Sequence, residues 1–123
     1  MSTENIPVIC LTPDGNGAEF GPWQEAPSGK SKERFLDLFD APRELKGRTR
    51  AGIWEGSACT EEIVDYPADE LMVVLEGSCT IIDAAGHEEV FDEGDSFFMP
   101  MGFCGVWQQP GHMKKYFVMF LAG

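Results

Sequence analysis

The chain has only two histidines, His87 and His112, and its four cysteines, Cys10, Cys59, Cys79 and Cys104, form no Cys-x-x-Cys pair. The cysteine pattern fits a reducing compartment, so a cytoplasmic location is expected. Basic residues are also scarce: nine against twenty-one acidic ones leave a formal charge of −12. Attraction to a phosphate backbone, the main source of nucleic-acid affinity, works against binding here, so DNA, RNA and anionic membranes are excluded as partners. We read the acidity as a solubility feature, with no catalytic meaning. Long hydrophobic runs are missing too. The longest, residues 71–75 and 116–122, fall far short of the ~20 residues that span a bilayer. The opening MSTENIPVIC has neither the basic segment nor the apolar run of a secretory leader. There is no internal repeat and no low-complexity tract.

What remains is an ordinary globular composition. At 123 residues, with 43% hydrophobic and 24% charged residues, the chain is long enough for one domain that buries roughly two-thirds of its unfolded surface. From residue 52 onward it reads as short strands over 52–58, 61–66, 71–75, 79–83, 88–91, 96–99, 105–108 and 113–121. They are punctuated by Glu76-Gly77, Ala85-Gly86, Glu93-Gly94, Met101-Gly102 and Pro110-Gly111. That rhythm belongs to an all-β sandwich or barrel. Residues 12–32 are rich in Gly, Pro, Ser and charge and read as an arm or loop. Phe35, Leu36, Leu38 and Phe39 suit a short helix or a strand; we favour a strand paired with residues 48–54. The division expected is an N-terminal arm over 1–33 and a domain over 34–123.

Two segments carry a recognisable spacing. Glu70-Leu-Met-Val-Val-Leu-Glu76-Gly77 is followed by Gly94-Asp-Ser-Phe-Phe-Met-Pro100-Met-Gly102, a glycine, five residues, a proline, one residue and a glycine. With Trp54, Tyr66, Trp107 and Lys114-Lys115-Tyr116 they resemble the cupin superfamily across residues 48–121, and within it the small single-domain cupins related to ethanolamine-utilisation and ureidoglycine-type proteins. The resemblance implies an RmlC-like jelly-roll β-barrel whose mouth holds a ligand. Metal-binding cupins place a His-x-His pair before the glutamate and another histidine past the Pro-x-Gly. Here those positions hold Val64, Tyr66 and Gly105. Valine and glycine offer no side-chain donor, and a first-row divalent metal needs three or more ligands. No metal and no cofactor is therefore expected. His87 and His112 lie beside turn residues and do not replace the missing ligands.

Side chains alternate along a strand, so Val64 and Tyr66 should share one face, and Phe103, Gly105 and Trp107 another. If these faces converge, the space freed at Gly105 is open to the Trp107 ring or to a ligand. The catalytic candidates are Glu70, Tyr66 and Lys115; the ligand-contacting candidates are Trp54, Trp107, Phe103 and Gly105. A carboxylate in such a place suits general acid–base work or the holding of a cationic amine. Tyr66 would donate its hydroxyl to a substrate oxygen or anchor the rim. One of Lys114 and Lys115 must face inward and needs a carboxylate, for which Glu70 and Glu55 are available; the resemblance favours Lys115. The functional expectation is a metal-free cupin acting on a small amine, ureido or carboxylate metabolite, or a sensor or scaffold without chemistry. A homodimer is expected, with the arm reaching to the partner.

Overall fold

The computed structural model describes residues 9–43 and 47–122. Ten strands follow a short 3-10 turn at Gly15–Gly17: β1 (Gln24–Glu25), β2 (Lys32–Pro42), β3 (Arg48–Gly56), β4 (Cys59–Ile63), β5 (Ala68–Glu76), β6 (Cys79–Asp83), β7 (Glu88–Phe91), β8 (Ser96–Met99), β9 (Gly105–Gln109) and β10 (Met113–Leu121). They form two antiparallel sheets, one ordered β1-β2-β3-β10-β5-β8 and the other β4-β9-β6-β7. This is the jelly-roll arrangement: two layers whose facing side chains make the core. Segments 79–83, 88–91, 96–99 and 113–121 fall where the turn residues delimit them. The ambiguous stretch around Phe35 is a strand and pairs with β3, from Glu33 opposite Gly56 to Pro42 opposite Arg48.

The core follows from strand alternation. Met72 and Val74 of β5, Met113 and Phe117 of β10, and Cys79, Ile81 and Trp107 of the smaller sheet are buried between the layers. Ile53 and Leu36 are buried as well, although they stand opposite one another on the other face of the large sheet. The N-terminal arm covers them. Asp14 caps the 3-10 turn by accepting from the Asn16 amide, and Gly15 takes a φ of 65° against Leu36. A Cβ on Gly15 would lie 2.4 Å from Leu36 Cδ1, so only glycine seats the turn there. Further along, Phe20 and Trp23 hold the Arg34 guanidinium between their rings at 4.3 and 4.7 Å. Arg34 in turn pairs with Glu55 at 2.7 Å.

The described part of the arm thus lies on its own sheet, where it completes a second small core. Residues 1–8 of the expected 1–33 arm fall outside the described residues. Among the described residues no helix is long and apolar enough to cross a membrane.

Candidate functional site

Three neighbouring strands of the large sheet bring the site together. Pairing of β10 with β3 sets Lys115 opposite Trp54, Phe117 opposite Gly52 and Met119 opposite Arg50. Pairing with β5 sets Lys115 opposite Val74 and Met119 opposite Glu70. Because residues two apart share a face, Lys115, Met119, Glu70, Trp54 and Arg50 all point between the layers. The small sheet contributes Trp107, which stands opposite Glu61 on β4. These residues line a cavity of about 630 Å³ between the layers, bordered by β2 and β4, with the turn at 26–31 contributing part of its rim. The size is that of a small-molecule site.

At the deep end Glu70 is 1% and Lys115 5% exposed. Both oxygens of Glu70 are engaged. Oε1 accepts from the Tyr66 hydroxyl, and Oε2 accepts from Lys115 Nζ at 3.1 Å. The ammonium also contacts Met72 Sδ at 2.9 Å. Its remaining surroundings are aromatic: Nζ lies 4.7 Å from the Trp54 ring centroid and 4.9 Å from that of Trp107. Each ring offers the negative face that a desolvated cation needs. The two indoles meet edge to face at 6.2 Å. Burial, and then the charge of the adjacent Glu70 carboxylate, raises the Tyr66 phenol well above its ordinary range. Tyr66 is therefore a hydrogen-bond donor throughout the physiological range.

Five of the seven residues singled out in the sequence meet here: Glu70, Tyr66, Lys115, Trp54 and Trp107. The choice between the two lysines resolves as alternation requires. Lys114 faces the other way, 4.0 Å from Glu55 and 3.9 Å from Glu76.

Three expectations are corrected. Strand β4 ends at Ile63 and Asp65 adopts a φ of 53°, so no alternation links Val64 to Tyr66; both border the cavity, but Val64 is 71% exposed at its rim, while Tyr66 turns inward to Glu70. The space above Gly105 is not open to Trp107 or to a ligand. A Cβ there would lie 2.2 Å from the Ile82 carbonyl and 2.6 Å from the Phe103 ring. Phe103 itself lines a different hollow of about 400 Å³, beside Phe91 and Phe97, so neither Phe103 nor Gly105 borders the cavity of Glu70.

The residues do not fit the metal centre of a typical cupin. Val64 and Gly105 have no donors, and Tyr66 and Lys115 both spend theirs on Glu70. The Lys115 ammonium already supplies the cation beside Oε2. Among the described residues no three His, Cys, Asp or Glu side chains gather at one point.

Three contributors were missed in the sequence. Glu33 accepts from Trp54 Nε1 at 3.1 Å and fixes that ring. Gln109 accepts from Trp107 Nε1 at 2.9 Å and donates to the Gly56, Ser57 and Gly111 carbonyls. Arg50 lines the cavity. Its signal was present, since a residue four before Trp54 on one strand lies on the same face.

An all-β double-layered sheet with a closed-off polar end and an aromatic-walled cavity defines a jelly-roll protein of the cupin class. The chain belongs to the EutQ-like cupin domain family, whose model matches residues 43–117. Among solved structures it is similar to the EutQ protein of Clostridium difficile, at 21% identity and a TM-score of 0.63 over 81% of this chain and 76% of that one. It is equally similar to a putative ethanolamine utilisation protein Q of Salmonella typhimurium, at 18% identity and a TM-score of 0.63 over 94% of both chains. A DUF861-family protein of unknown function from Pseudomonas syringae matches at 20% identity and a TM-score of 0.65, over 82% of this chain and 43% of that one. At such identities the likeness is one of fold. No curated protein matches the chain significantly.

Proposed function

We propose that the chain is a small-molecule cupin that works without a metal, with the Tyr66–Glu70–Lys115 cluster as its polar centre. The observation that carries this reading is the placement of a buried, hydrogen-bonded ion pair in the wall of an aromatic-lined cavity of about 630 Å³. A buried pair of this kind stabilises a fold poorly relative to apolar packing, and the Tyr66 phenol bonded to it is raised by burial, the kind of perturbed group in a cleft that is a common sign of function. In an enzyme, Glu70 would accept a proton from the substrate while Tyr66 and Lys115 donate to its developing negative charge.

A binding or sensor module without chemistry is the second reading. It is favoured by the burial of Glu70: the residue is 1% exposed and each carboxylate oxygen already accepts a bond, so a substrate reaches it only if the surrounding side chains move. One experiment separates the two. Small amines, ureido acids and short carboxylates are screened for turnover and, in parallel, for thermal stabilisation; the relatives named for ethanolamine utilisation motivate the amines. Turnover abolished in Glu70→Gln supports the enzyme. Stabilisation without turnover supports the sensor, and neither effect with any compound overturns both.

A further inference from the structure

We propose that the cavity takes a small organic carboxylate and that Arg50 holds its carboxylate group, a step that rests on the cavity being the ligand site. Arg50 and Glu70 lie in one cross-strand row, with Met119 between them, so their backbone positions are about 10 Å apart at the usual strand spacing. A ligand of a few carbons bridges that distance. The Arg50 guanidinium lies 4.8 Å from the Phe35 ring centroid and 5.5 Å from that of Phe117, and one of its terminal nitrogens donates to Asp37 at 2.8 Å. Its Nε is buried and has no hydrogen-bond partner among the described residues. Buried donors are seldom left unpaired, and this one belongs to a side chain that lines the cavity, where a small shift of the guanidinium would offer it to an acceptor brought by a ligand.

Charge at the deep end argues the same way. Glu70 has given both oxygens to Tyr66 and Lys115, so an incoming amine meets a carboxylate already neutralised. A carboxylate meets a guanidinium that is paired with Asp37 through one terminal nitrogen and still has an unspent donor. Glu33, which accepts from Trp54 Nε1, and Glu61 and Glu62 at the cavity margin pull in the opposite direction. Glu61 accepts from Ser28 at 2.5 Å and from Ser31 at 3.3 Å, and Glu62 is solvent-exposed. Such rim charges change affinity by less than about fivefold, while a charge-assisted bond to a desolvated donor is worth about ten- to hundredfold.

The test is calorimetric titration of three probes of one shape: phenylacetate, phenylacetamide and phenethylamine. The wild type should bind phenylacetate tightest. Arg50→Met should lose about ten- to hundredfold in that affinity, and Arg50→Lys should fall between, because an ammonium keeps the charge but lacks the planar fork. Asp37→Asn, which removes the competing carboxylate, should bind phenylacetate more tightly. The assignment is overturned if the amine or the amide binds as well as the acid, if phenylacetate does not bind the wild type at millimolar concentration, or if folded Arg50→Met retains wild-type affinity. Should Arg50→Met fail to fold, unchanged or weaker binding by Asp37→Asn overturns it instead. Trp54→Ala separates this failure from that of the cavity itself. Affinity lost in Trp54→Ala but kept in Arg50→Met removes Arg50 alone, and affinity kept in both removes the cavity as the ligand site.

Discussion

The Lys115 ammonium and the Glu70 carboxylate meet at 3.1 Å, although Lys115 pairs with Val74, four positions along β5 from Glu70. Each side chain leans along its strand to reach the other across Met72, so the contact depends on both being present. Removing one partner of a buried pair strands the other's charge and costs about 3–5 kcal/mol. Glu70→Gln and Lys115→Met should each lose stability on that scale in urea titrations, and the double variant should be no less stable than the worse single one. Additive losses would show that the two groups are not coupled.

The chain has two tyrosines, and alkaline titration should tell them apart. Burial and then Glu70 raise Tyr66 in the folded protein; partial burial also raises Tyr116, on the other face of β10. A phenol whose folded pKa exceeds its unfolded value of about 10 contributes stability that is fully present below that pH and is lost as pH rises above it. Tyrosinate absorbance should therefore show Tyr116 ionising in the native state and Tyr66 only as the protein unfolds. Tyr66→Phe should flatten the alkaline fall in stability; an unchanged slope would place Tyr66 outside the buried cluster.

Much of this was legible in the sequence. Turn residues such as Glu76-Gly77 and Met101-Gly102 delimit strands because left-handed backbone favours glycine, and Gly77 and Gly102 do adopt φ of 82° and 90°. Alternation along β10 also worked in requiring one of its two lysines to face inward, and the resemblance singled out Lys115, which does. It failed where a strand stopped. Nothing in Ile63-Val64-Asp65 announces that β4 ends at Ile63, so strand alternation does not show that Val64 sits exposed at the cavity rim while Tyr66 turns inward. Cross-strand neighbours were equally hidden: register decides that the Ile82 carbonyl lies over Gly105 and that Arg50 joins Glu70's row, and the pattern along one strand does not say which residues of the next stand opposite.

Thiol reactivity offers an independent check on the layers. Cys10 and Cys104 are exposed, whereas Cys79 is buried. Burial pushes Cys79 up to about 12 and, followed by the charge of Glu61, raises Cys59. Since only the thiolate attacks, a disulfide reagent at pH 8 should modify Cys10 and Cys104 promptly, Cys59, half-buried on the cavity wall, slowly, and Cys79 only in denaturant. Rapid native labelling of Cys79 would mean that the core of the small sheet opens.

Gly105 gives the sharpest structural test, because it stands where the resemblance to metal-binding cupins puts a histidine. Even a methyl group there would approach the Ile82 carbonyl to 2.2 Å and the Phe103 ring to 2.6 Å. The ring can rotate away, but the carbonyl belongs to β6, and Ile82 stands opposite Val106, next to Gly105 in β9. Moving it strains the ladder. Overpacking of this kind costs about 1–3 kcal/mol, so Gly105→Ala should lower the urea midpoint without changing the slope of the transition. Gly105→His should do more harm and recruit no zinc, since Val64 supplies no ligand and Lys115 holds Glu70. Combining Gly105→Ala with Phe103→Ala should recover little of the loss if the Ile82 carbonyl is the obstacle; full recovery would identify the Phe103 ring as the one that matters.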